Sequence, residues 1–142
     1  MTHTGLALAA TVILLFPMGF FLLSAPAFLL VKLDIPPVTM LLRGLFNAHF
    51  MMMGIAGVVC AIAFAVAGRP MFAVGVGLIA AFAIWERRRF LQRMDAELDA
   101  RDSGDASAVR RLRRMHWAGM LCNATVLAVF VASIPYIAPA TA

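Results

Sequence analysis

A chain of 142 residues that is 63% hydrophobic, with a mean hydropathy of +0.93, leaves no room for a separate soluble domain and reads as one unit, residues 1–142. Its net charge of +5 does not indicate nucleic acid. Nine of the twelve Lys and Arg residues fall in one segment, Glu86–Arg114, between apolar runs, where membrane topology accounts for them.

Four runs, Gly5–Val31, Leu45–Ala67, Met71–Trp85 and Trp117–Ile137, reach or approach the ~20 apolar residues that cross a ~30 Å hydrocarbon core. The expected fold is all-α: an integral membrane four-helix bundle with a cytoplasmic helical hairpin between helices three and four. Lys and Arg favour the cytoplasmic side, so Glu86–Arg114 is expected there, with both termini external. Lys32 and Arg43 agree with that orientation; Arg69, in the external turn, is a minor exception.

The first run contains Pro17 and Pro26, which remove backbone donors and predict a helix that bends or ends near Ala25. Ser24-Ala25-Pro26-Ala27 is not read as a signal-peptide cleavage site. Residues 1–4 carry no Lys or Arg, and the apolar stretch is longer than a usual h-region. In Leu33-Asp34-Ile35-Pro36-Pro37 the prolines push the preceding residue out of helical geometry and predict a stiff turn. Gly68-Arg69-Pro70 is short enough to make helices two and three antiparallel neighbours, with Gly54, Gly57, Gly75 and Gly77 as close-packing positions.

Beyond Trp85 the mixture of Arg87, Arg88, Arg89, Arg93, Asp95, Glu97, Asp99 and Arg101 with Leu, Gln, Met and Ala predicts that helix three continues out of the membrane. Glu86 reads as a partner for the neighbouring arginines. Asp102-Ser103-Gly104-Asp105 is a turn signal, and Ser107 is the expected cap of a helix running through Arg110, Arg111, Arg113 and Arg114 into the fourth span. The resulting antiparallel hairpin is expected to be a solvated, salt-bridged face or, alternatively, a docking surface for anionic lipid heads or an acidic partner, which those four arginines would suit.

Candidate chemistry concentrates in helices two and four. At ~1.5 Å per residue His49 lies about 9 Å beyond Arg43, while His116 and Asn123 lie about 3 Å and 13 Å beyond Arg114. His116, Met120 and Asn123 share one helix face, as do His49, Met53 and Ala56. If these faces meet they form a polar cluster, with Arg43 and Asn47 at its rim, whose first expected role is interhelical hydrogen bonding worth ~0.6 kcal/mol per bond. Haem b held by His49 and His116 is an alternative, although the two depths differ by about 6 Å. Copper is another, since soft ligands select Cu(I), and His49 with Met53 and His116 with Met120 have workable spacing. Met51, Met52 and Met53 are consecutive and point in different directions. Cys60 and Cys122 lie at different depths and are not expected to pair.

The spans contain no Asp, Glu or Lys, and no nucleophile elbow, phosphate loop, paired carboxylates or zinc-protease pattern occurs. The chain is therefore not read as an enzyme, and the missing intramembrane charges weaken ion or proton transport. Ala25-Pro26-Ala27-Phe28, Gly44-Leu45-Phe46 and Arg113-Arg114-Met115-His116, followed by Asn123, resemble the small four-helix family of transmembrane-protein-205-like proteins. In that family an arginine-flanked cytoplasmic loop precedes a Leu-His-x-x-Ser-x-x-x-Asn helix start. Met115 and Gly119 stand here where the pattern has Leu and Ser. The resemblance implies four-span topology and points to His116 and Asn123, but it brings no reaction with it. The expected role is an accessory or assembly subunit of a larger membrane complex, with membrane lipid and other membrane subunits as partners.

Overall fold

A computed structural model describes residues 2–137. The end of the C-terminal tail expected to be external lies outside the described residues. Four helices account for most of the chain: α1 (His3–Ser24), α2 (Pro36–Val66), α3 (Pro70–Asp102) and α4 (Ala108–Ile137), with no strand among the described residues. Each is long and apolar enough to cross a membrane.

The ends of these helices follow from local chemistry. Thr2 caps α1, its hydroxyl accepting the Gly5 N–H at 3.1 Å. α1 accommodates Pro17 and gives way to a 3-10 turn, Ala25–Leu29, with Pro26 in its first positions. Ile35 is extended (φ −86°, ψ 116°), as a residue before proline must be. Pro36 and Pro37, however, open α2 rather than stiffen a turn, because proline lacks only an N–H that the first helical turn leaves unused. Helix two thus begins well before the apolar run, and Arg43 sits on it.

α2 ends in a glycine-capped turn: Gly68 takes φ +71°, its N–H reaches the Ala65 carbonyl, and the Arg69 N–H reaches the Phe64 carbonyl. α3 ends the same way at Gly104 (φ +94°), with bonds from Gly104 to Arg101 and from Asp105 to Ala100. The capping side chain before α4 is Asp105, not Ser107. One Asp105 carboxylate oxygen accepts the Ser107 N–H (2.8 Å) and hydroxyl (2.6 Å). The other accepts from Arg111 (2.7 Å), which also donates to Glu97 (2.7 Å) and to the Ser107 hydroxyl.

Hydrogen bonds from Ser107, and then from Arg111, hold the Asp105 carboxyl below the usual carboxylate range. A carboxylate with a depressed folded pKa stabilises above its unfolded value of about 3.9 and loses that contribution as pH falls below it. Amide exchange across residues 103–111, corrected for intrinsic rates, is expected to accelerate as pH drops from about 4 to 2. Asp105→Ala should abolish that pH step.

α2 and α3 make the broadest helix contact, as their short connection requires, while α1 packs on α2 and α4. A Cβ on Gly57 would lie 2.7 Å from the Ala80 Cβ, and one on Gly54 would lie 2.8 Å from Ile84. Gly75 has open space, and Gly77 has only Ala61 at 3.9 Å, so two of the four expected close-packing glycines do not serve that purpose. Two cores stack along the bundle. One, around Leu14, Met18, Cys60 and Phe64, lies toward the Gly68 turn; the other, around Phe21, Phe46, Met94 and Leu112, lies toward the charged end. The outer surface is apolar too: Leu23, Leu30 and Met71 are 84–90% exposed, the reverse of what an aqueous surface favours.

Candidate functional site

The expected polar residues do not assemble into one cluster, because each is engaged by a different neighbour. Arg43 donates to both carboxylate oxygens of Asp95 on α3 (2.5 and 2.8 Å), holding that carboxyl below its ordinary range. Asn47 accepts from Arg87 of α3 at 2.9 Å. Arg101 donates to the Thr39 hydroxyl at 2.7 Å, adding a third polar tie between α2 and α3. Asn123 donates instead to the Met18 carbonyl of α1 at 3.0 Å, inside the bundle.

The two histidines are also kept apart. His49 stacks on Phe21 (centroids 4.2 Å), Phe21 meets Phe46 (5.2 Å), and Phe46 meets the edge of His116 (5.9 Å). A chain of packed rings therefore connects the imidazoles, rather than an open slot that a planar cofactor could enter. His116 is fully buried, and neither ring nitrogen has a hydrogen-bond partner. His49 leaves its Nδ1 buried and unpartnered. Among the described residues no three His, Cys, Asp or Glu side chains gather as metal ligands. Cys60 is buried against the Ala10 carbonyl, and Cys122 is exposed.

The arginines after the turn divide in use. Arg111 is committed to Glu97 and Asp105, and Arg113 donates to the Leu29 carbonyl at 3.3 Å. Arg110 and Arg114 are exposed.

The structure adds a feature that the residue inventory missed: a cleft of about 310 Å³, open on one side, with α3 and α4 as walls and α2 as floor. Its floor carries Phe46, His49 and Met53, and its α4 wall includes Gly119, Cys122 and Asn123. Phe46 lies so close to Gly119 that a Cβ there would collide with its ring; the close approach of α2 and α4 beside the cleft depends on that small residue. Along α3 the lining residues Ile79, Ala83, Glu86, Phe90 and Arg93 recur at steps of three and four, one helix face. That spacing is readable in the sequence, but among the mixed charges of this segment it does not stand out from a solvated face. Glu86 makes no ion pair among the described residues, contrary to its expected pairing with adjacent arginines, and Arg93 makes none either. Chemically the cleft can bind and orient an apolar body with a polar end.

Searches against family models, curated proteins and solved structures find no match to this chain.

Proposed function

We propose that this chain is a non-catalytic integral membrane protein of four spans that serves as an accessory or assembly subunit of a larger membrane complex. Residues 86–114 form its cytoplasmic helical hairpin, and both termini are external. The cytoplasmic membrane of a bacterium is its proposed location, and kinship with transmembrane-protein-205-like proteins belongs to the same reading.

The observation that carries the reading is the sparse internal cover of the last two helices. Only 17% of the most apolar stretch of α3, and the same share in α4, is buried inside the chain, against 39% for the first helix. Met71, Val74, Leu78 and Trp85 turn 57–84% of their surface outward along α3. Lipid can cover such a face, and so can the helix of another subunit.

Extraction of the tagged protein in polymer-bounded native membrane discs, followed by mass spectrometry and an absorption spectrum, tests this. The expected result is a colourless sample carrying a defined membrane partner at fixed stoichiometry, with residues 86–114 accessible to protease only from the cytoplasmic side. A monomer without partner overturns the accessory role. A Soret band or stoichiometric copper lost in His49→Ala and His116→Ala replaces it with the cofactor reading.

A further inference from the structure

The α3/α4 cleft orders its chemistry along one axis. Its deep end is apolar, between Ile79 and Val126. Next come the His49 ring and the Glu86 carboxylate; Arg93 follows two helical turns beyond Glu86, about 10 Å along α3. These are the charged side chains lining the cleft, and both are free of ion pairs among the described residues. A ligand that matches has an apolar tail, then groups that donate and accept hydrogen bonds, then an outermost anion. The volume of about 310 Å³ is at the lower end of the range for small-molecule pockets, about 300–1,000 Å³, which suits one acyl chain rather than two.

We infer that the cleft binds a monoacyl glycerophospholipid. The acyl chain lies between α3 and α4 with its ester beside the His49 ring, the free glycerol hydroxyl donates to Glu86, and the phosphate pairs with Arg93. A free fatty acid has its anion directly on the tail and leaves Arg93 without a partner. A two-chain phospholipid has no free hydroxyl on its acylated glycerol and has one chain too many for the space. A charge-assisted contact between guanidinium and phosphate is among the stronger polar interactions, and it reads the head group while the cleft reads the single tail. The inference rests on the four-span reading, which sets the apolar end of the cleft in the hydrocarbon and Arg93 at the head-group level.

The test is native mass spectrometry of the full chain, released from mild detergent and titrated with monoacyl phosphatidylglycerol, the diacyl form or a fatty acid of equal chain length. The expected result is one monoacyl lipid per chain, retained over the other two. Arg93→Gln should weaken it about tenfold, Glu86→Gln less, and Arg88→Gln, on an exposed residue outside the cleft, not at all. Val126→Trp, which fills the apolar end, should remove binding while Arg93 stays in place. Equal retention of all three amphiphiles, no retention, or unchanged binding in both Arg93→Gln and Val126→Trp overturns the inference. Protease protection of the same protein in vesicles separates the two failures: a chain that does not insert sinks the four-span reading, whereas one that inserts but holds no lipid sinks only the ligand.

Discussion

Gly57→Leu is expected to destabilise the protein by about 1–3 kcal/mol, the usual cost of forcing extra volume into a filled interface. The Gly57 position faces the Ala80 Cβ at 2.7 Å and the Ala80 Cα at 3.3 Å. Neither atom belongs to a flexible side chain, so relief requires α2 and α3 to separate. That separation strains the three polar ties between the same helices, Arg43–Asp95, Asn47–Arg87 and Thr39–Arg101. Alanine is a less decisive probe, since exchanging Gly for Ala favours a helix by up to about 1 kcal/mol and opposes the clash. Gly75→Leu is the control: its Cβ meets nothing within 4 Å, so only the helix preference of Leu over Gly acts, and the expected change is a gain of up to about 1 kcal/mol. Thermal unfolding in mild detergent, followed by circular dichroism, reads both. Equal melting of Gly57→Leu and wild type would show that the two helices do not meet at Ala80.

His116→Phe is expected to stabilise the bundle, by about 1–3 kcal/mol, the range for the penalty of a buried polar group left unsatisfied. His116 is 0% exposed, both its nitrogens lack partners, and its ring neighbours are Phe28 and Phe46. The Ala25 carbonyl in the 3-10 turn faces the ring without completing a hydrogen bond. Phenylalanine keeps an aromatic ring in that setting and removes the unpaired nitrogens. His116→Leu, which is smaller, separates loss of polarity from gain of volume. A loss of more than about 1 kcal/mol in both variants would mean that the imidazole has a bond to satisfy, and would return His116 to the list of candidate ligands.

Helix count and the α2–α3 connection were legible because they depend on apolar runs and on Gly and Pro punctuation, both local properties. The early start of α2 was missed because Pro36 and Pro37 serve equally as turn residues and as first-turn helix residues, and only the geometry after Ile35 distinguishes the two. The candidate site was legible as residues but not as an arrangement. His49 and His116 have suitable spacing on their own helices, yet the packing of Phe21 and Phe46 between them is set by how α1 crosses α2. Gly119 carried a signal as a small residue beside His116, but its role appears only when Phe46 from α2 is laid against it. Glu86 and Arg93 shared a helical face with Phe90 in plain view; what hid the cleft was the presence of eight other arginines in the same segment, which made any one charge look solvated.

The bond from Asn123 to the Met18 carbonyl joins residues 105 positions apart, and it has a consequence for how the molecule is made. α2 and α3 find each other through a three-residue connection, but the flank of α1 that α4 covers has no internal partner until α4 exists. At ~5–20 residues per second of synthesis, that interval is on the order of 5–20 s. During it the emerging α1 is shielded on one side only, by α2. A chain arrested before Trp117 would leave that flank open to insertion machinery or to stray helices, so the last helix acts as a completion mark: the bundle is sealed on the schedule of the ribosome rather than of its fastest local pairing.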